Sequence, residues 1–275
     1  MNSYVFRGIG FFINIIGLFY SSYAAKLAVK IFSSPKKGSL DIEESDYLDT
    51  AFKEEVIYQD ISLMTYRWLG TKETILLAHG WESNSYRWKD LIELLKQEKY
   101  NIVAVDAPAH GNSGSKIFNA LLYSECIHVV TKKFKVDAII GHSVGGTASA
   151  ISLNNYNLSS VKKLVSLGAP SNFVGSVNGY IKMMGYSKNV SNAMNQYYLK
   201  HFGYLIEYFT AANFSKNIKA KGLIIHDKKD RIISYRDALD IKKHYENSQL
   251  IKTMGFGHGL KSDKVYNHIL EFLNA

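Results

Sequence analysis

Gly141-His142-Ser143-Val144-Gly145 places a serine between two glycines, with one residue intervening on either side, directly after the apolar run Ala138-Ile139-Ile140. That spacing suits a nucleophile. A sharp turn from strand to helix holds such a serine in strained backbone geometry, small neighbours prevent clashes, and Oγ stands exposed. The helix that follows brings its positive N-terminal end to the place where an oxyanion develops during acyl transfer. The pentapeptide alone is of modest specificity, since a glycine-rich turn with an ordinary exposed serine has the same pattern.

A serine nucleophile needs a base, and the chain has 9 histidines. His79 and His142 lie inside turn-shaping motifs, and His110 sits in a loop motif of its own, so these three are expected to pack and hydrogen-bond. His128, His201, His226, His244 and His268 have no motif around them. His258 is different: it sits in Gly255-Phe256-Gly257-His258-Gly259, a flexible loop after the last apolar run, where an imidazole can reach a nucleophile. Two acids follow the run Gly222-Leu223-Ile224-Ile225-His226. Asp227 stands at the strand exit, where a short carboxylate bonds nearby N–H groups and shapes the turn. Asp230 comes three residues later, before Arg231-Ile232-Ile233. Asp237, three residues after Ser234, fits the first turn of a helix. There is no H-E-x-x-H or clustered ligand set to suggest a zinc hydrolase, and serine chemistry needs no cofactor.

Together these motifs resemble the α/β-hydrolase fold superfamily, in which nucleophile, acid and histidine follow one another along the chain, here Ser143, Asp230 and His258. Leu76-Leu77-Ala78-His79-Gly80-Trp81 looks like that family's strand and His-Gly oxyanion turn, which implies the backbone N–H groups of Trp81 and Val144 as the oxyanion hole. Asp106-Ala107-Pro108-Ala109-His110-Gly111-Asn112-Ser113 is similar to its D-x-P-x-H-G-x-S loop, with Ala109 where glycine is usual. The resemblance runs from about Glu55 to the C-terminus. It implies a serine esterase or lipase-like hydrolase acting on a small-molecule carboxylic ester, with a small-to-medium apolar acyl or alcohol part. A thioesterase or other acyl hydrolase would share the same residues. A noncatalytic binding protein on this fold is the alternative of a different class, whereas serine at the elbow disfavours aspartate-nucleophile dehalogenases and epoxide hydrolases.

Apolar runs and turn residues predict the elements that carry these motifs. Glu55–Gln59, Ser62–Leu69, Thr74–Ala78, Ile102–Val105, Val136–Ile140, Lys163–Leu167, Leu223–His226 and Leu250–Thr253 are expected as strands. Helices are expected over Arg87–Gln97, Ile117–Phe134, Val144–Asn154, from Ser234 to about Tyr245, and over Ser262–Leu273. Runs without polar alternation suit strands covered on both faces, so the expected fold is α/β: a doubly wound, mostly parallel sheet with functional groups at the strands' carboxyl ends. Residues 50–275 form this domain. An insertion at about 171–213, rich in tyrosine, phenylalanine and methionine, is implied by the resemblance to be a helical cap over the catalytic face.

The 275 residues suffice for one large core, and the net charge of +9 comes from dispersed lysines rather than a basic block. No nucleic-acid motif accompanies that charge, so no nucleic-acid partner is expected. The single cysteine, Cys126, excludes an intramolecular disulfide framework. Residues 1–49 are expected to be an apolar helix and a charged connector. From Gly8 to Ala25 there is no charge. A signal peptide cleaved after Ser22-Tyr23-Ala24, a membrane anchor, and a retained amphipathic helix running through Lys26, Lys30 and Phe32 to Pro35 are the three readings. The retained helix is adopted, with peripheral membrane association through residues 1–32 and an otherwise cytoplasmic location as the expectations.

Overall fold

The computed structural model describes residues 3–156 and 158–275; Met1 and Asn2, which open the apolar segment, and Asn157 lie outside the described residues. In chain order the elements begin with helices α1 (Ser3–Phe19), α2 (Ser21–Phe32) and α3 (Ile42–Leu48), and strands β1 (Phe52–Tyr58), β2 (Ile61–Trp68) and β3 (Thr74–Ala78). There follow α4 (Lys89–Gln97), β4 (Asn101–Val105), α5 (Ala120–Phe134), β5 (Ala138–His142), α6 (Val144–Asn155) and β6 (Lys163–Leu167). Helices α7 (Val174–Met184), α8 (Lys188–Phe202) and α9 (Ala211–Phe214) lead to β7 (Lys221–Asp227), α10 (Tyr235–His244), β8 (Ser248–Thr253) and α11 (Asp263–Asn274). Two compact units result: residues 3–34 with 172–213, and residues 35–171 with 214–275.

The second unit is built on an eight-stranded sheet in the order β1-β2-β4-β3-β5-β6-β7-β8. Strands β3 to β8 run parallel, and the β1–β2 hairpin is added antiparallel to β4. The unbroken apolar runs are buried along their whole length in β4 and β5, as strands covered by helices on both faces must be. Ile75, Leu77, Ile102, Ala104, Ile140, Val165 and Leu223 share one core with Leu91 and Leu95 of α4 and with Val265 and Ile269 of α11. Alternation along each strand sends Leu76, Val103 and Ile139 to the opposite face.

Several element ends move by a few residues, and the caps account for the clearest case. The expected helix from Ile117 starts instead at Ala120, because the Asn119 side chain accepts the Leu122 N–H at 2.8 Å and sets the N-terminus there. The charged connector is not featureless: α3 forms within it. Asp41 and Glu44 make a reciprocal capping box, and Leu48 is fully buried, which together sustain a helix too short to persist alone.

In the first unit, α1, α2, α7 and α8 pack on one another. The expected single N-terminal helix breaks at Tyr20, whose φ of −136° and ψ of 66° are not helical. The break separates a helix that buries Gly10, Ile13 and Gly17 from one that buries Ala24, Ala25, Ala28 and Val29. A Cβ at Gly10 would stand 1.8 Å from Met184 O, so glycine permits the close approach of α1 to α7. Asn14 fastens the corner between α7 and α8, donating to Gly185 O at 2.9 Å and accepting the Ser187 N–H at 2.8 Å. Among the described residues no helix is long and apolar enough to cross a membrane.

Candidate active site

Parallel register brings the candidate residues together. Ala78 lies beside Gly141 in the β3–β5 pair, and Asp227 beside Thr253 in the β7–β8 pair. The loops that leave these strands therefore meet at the carboxyl edge of the sheet, where a strand-order reversal opens a crevice. Ser143 joins β5 to α6 with φ 53° and ψ −128°, a conformation that costs a non-glycine residue about 1–3 kcal/mol and persists only when its surroundings impose it. The Ser143 N–H donates to Leu167 O at 2.8 Å, which pins the turn to β6. Gly145 admits the tight turn: a Cβ there would meet Ala78 O at 2.2 Å.

His258, in the loop after β8, stands between the other two candidates. Its Nε2 is 3.1 Å from Ser143 Oγ, and its Nδ1 is 2.7 Å from Asp230 Oδ2. The Asp230 side chain is completely buried while that of His258 keeps 21% exposure. The other oxygen of Asp230 accepts the N–H groups of Ile232 at 2.8 Å and Ile233 at 3.0 Å, so the carboxylate is held at both ends. His142 donates from Nε2 to His258 O at 2.8 Å, and Arg87 donates to Gly259 O at 3.0 Å. These two contacts fix the backbone of a glycine-rich loop that would otherwise wander.

Asp227 does what its place at the strand exit predicts. It accepts from Lys229 N, Phe256 N and Thr253 Oγ1, tying the β7 loop to the base of the His258 loop. Burial alone would raise its pKa, but these hydrogen bonds to the ionised form outweigh it and hold the carboxyl below the usual range. Asp237 lies in the first turn of α10, and its carboxylate receives both the N–H and the Oγ–H of Ser171.

The β3 exit loop approaches the serine closely, since a Cβ on Gly80 would lie 2.8 Å from Ser143 Cβ. Among the described residues the N–H groups of Trp81 and Val144 are donated to no acceptor within the chain, the latter because it opens a helix. His79 sets the direction of the first. Its Nε2 accepts the Ala107 N–H at 2.9 Å, so Nδ1 carries the proton and donates to Gly80 O at 2.7 Å. In a trans peptide the carbonyl and the following N–H point oppositely, so tethering Gly80 O directs the Trp81 N–H the other way. His110 returns the clasp: its Nδ1 donates to Pro108 O and its Nε2 accepts the Glu82 N–H at 3.0 Å. Ala109 takes φ 64° in this loop, the left-handed region that the family's usual glycine would enter freely.

Both imidazoles of the clasp must be neutral. Burial holds His79 and His142 well below the ordinary imidazole range and lowers His110 as well. A folded-state pKa below the unfolded value means that, as pH falls below about 6.5, the unfolded chain takes up protons that the folded chain refuses. Stability is then lost with acid. Asp106, whose carboxyl burial raises, opposes the trend lower in the pH scale. The urea midpoint is therefore expected to be lower at pH 5.5 than at pH 7.5, with net proton uptake on unfolding in that window; equal midpoints would refute the assignment of neutral buried imidazoles.

His226 is the neighbour that sequence reasoning passed over. Fully buried at the end of β7, it places Nε2 3.0 Å from Ile233 O and 3.4 Å from Asp230 Oδ2. No motif marks it; the only signal is a histidine ending an apolar strand four residues before the acid.

The family described as alpha/beta hydrolase fold matches residues 73–187. A Mycoplasma pneumoniae protein named "Putative esterase/lipase 2" is 26% identical over 160 residues, which cover 55% of this chain and 59% of that protein. The chain thus spans about six-tenths of the length of that relative. The Bacillus subtilis AB hydrolase superfamily protein YisY is 20% identical over 251 residues, covering 75% of this chain and 94% of its own. Among solved structures, an Acinetobacter baumannii protein described as "a putative lipase (lip1)" superposes with a TM-score of 0.65 at 19% identity, over 86% of this chain and 97% of that one; this likeness speaks to the fold. The matched segment carries the elbow and the β3 exit turn, and the chain has the α/β-hydrolase fold.

Proposed function

We propose that the protein is a serine hydrolase that cleaves carboxylic esters through an acyl-enzyme. The observation that carries this reading is one imidazole within hydrogen-bonding reach of both a strained serine Oγ and a buried carboxylate. In this mechanism neutral His258 accepts the Ser143 proton as Oγ attacks the ester carbonyl, and Asp230 keeps the proton on Nδ1 and stabilises the imidazolium that forms. The N–H groups of Trp81 and Val144 receive the oxyanion; loss of one such donor typically costs about 2.7–4 kcal/mol in the barrier. His258 then gives its proton to the departing alkoxide. Water, activated by the same imidazole, releases the acid and restores Ser143.

The tyrosine, phenylalanine and methionine side chains between residues 172 and 213 support, by their composition, an apolar acyl or alcohol group of small to medium size. A thioester would be attacked by the same groups, so a substrate panel decides between them. Folded protein is expected to react with a fluorophosphonate probe at one site, and to turn over short-chain aryl and alkyl esters faster than matched thioesters and amides. Thioester preference would make it a thioesterase. Absence of both labelling and turnover would instead favour a noncatalytic binding protein on this fold.

A further inference from the structure

A surface helix normally turns its apolar stripe inward, but α1 carries a second one outward. Phe11, Phe12, Leu18 and Phe19 are 62%, 66%, 74% and 76% exposed, and Tyr4 and Ile15 lie on the same side at helical spacing. The opposite side, with Gly10, Ile13 and Gly17, is the one buried within the unit of residues 3–34 and 172–213. Tyr20 and Tyr23, also exposed, extend the patch across the break into α2. A contiguous exposed apolar face of this kind marks a surface that meets something else.

Charge identifies what it meets. Arg7, Lys26 and Lys30 are exposed around the patch, and no carboxylate side chain occurs before Asp41. The whole unit holds six lysine and arginine side chains against one acid, Glu207. We propose that this face docks on the surface of an anionic phospholipid bilayer. α1 lies in the plane of the interface, its phenylalanines and leucine among the upper acyl chains, with Tyr20, Tyr23 and the cationic side chains at headgroup level. Spanning is not required of it. Its 17 residues rise about 26 Å at 1.5 Å each, short of the roughly 30 Å hydrocarbon core, and its inner side is held by Asn14 and by Asn189, which donates to Gly17 O. Self-association is the rival, and it would bring two cationic faces together, which like-charge repulsion disfavours.

The full chain is to be floated with phosphatidylcholine vesicles containing phosphatidylglycerol and with vesicles of phosphatidylcholine alone. Association is expected with the first, weaker with the second, and decreasing as salt rises. Withdrawing one phenylalanine from the interface costs roughly tenfold or more in partitioning. Phe12→Ser with Phe19→Ser should therefore lower it about a hundredfold, and Lys26→Glu with Lys30→Glu should remove the preference for phosphatidylglycerol. These exposed positions leave the thermal transition cooperative, which circular dichroism checks. Failure of the folded wild-type chain to float with phosphatidylglycerol vesicles, or flotation that the phenylalanine pair does not reduce, overturns the proposal. So does a dimer that the same substitutions dissociate, found without vesicle binding. None of these readouts involves turnover, so the outcome is independent of the ester chemistry.

Discussion

Ser143→Ala is expected to abolish labelling by a fluorophosphonate and to lower ester turnover by roughly 10⁵ to 10⁶, the scale seen when the nucleophile of a serine hydrolase is removed. The residual rate would come from the oxyanion donors and from binding. Folding should survive, because Oγ makes its hydrogen bond to the partly buried imidazole of His258 and the backbone N–H keeps its bond to Leu167 O. A companion substitution separates strain from chemistry. Ser143 holds φ 53° with a Cβ, so Ser143→Gly should be as inactive as alanine yet raise the thermal midpoint, since glycine enters this region without penalty. Retained labelling in the alanine variant would remove Ser143 from the mechanism.

The second large effect separates two acids that stand three residues apart. In Asp230→Asn the amide has one oxygen, and the N–H groups of Ile232 and Ile233 already point at one side of the group. The oxygen turns to them, so the amide NH₂ faces His258 Nδ1 where Oδ2 was. An imidazole that must accept at Nδ1 carries its proton on Nε2 and cannot take one from Ser143. Turnover is expected to fall by roughly 10³ to 10⁴ through this wrong tautomer. Asp227→Asn meets donors on both sides, from Lys229 and from Thr253 and Phe256, so one of them must oppose an NH₂ group. That costs about 1–3 kcal/mol of stability and changes turnover per folded molecule far less. Both variants should be compared at matched folded concentration, and the larger turnover loss in Asp227→Asn would move the orienting role to that residue.

How far the sequence carried depended on the range of the interactions involved. Unbroken apolar runs such as Leu223-Ile224-Ile225 are legible because a parallel strand is buried on both faces wherever it lies, and strand exits are legible because Gly141, Gly145 and Gly80 have no room for a side chain. Short elements were harder. The helix Ile42–Leu48 looks like a charged connector because its stability comes from one capping box and one buried leucine rather than from a long apolar period. His226 has no motif around it, since what matters is its distance from Asp230 and the Ile233 carbonyl across a turn.

The amino-acid sequence by itself determined the class of the fold, the order of nucleophile, acid and histidine, and the separate duties expected of Asp227 and Asp230. The fold class follows from local rules, strand periodicity and turn stereochemistry, whereas the order of the three candidates and the choice of Asp230 are what the family resemblance implies. Only the tertiary structure decided that His79 and His110 clasp the β3 exit loop from opposite directions, that His142 and Arg87 fix the backbone of the His258 loop, and that α1 and α2 pack with a segment some 140 residues away along the chain. Such contacts depend on which surfaces the other elements of each unit leave unburied. That is a property of the whole chain's packing, and no window of sequence contains it.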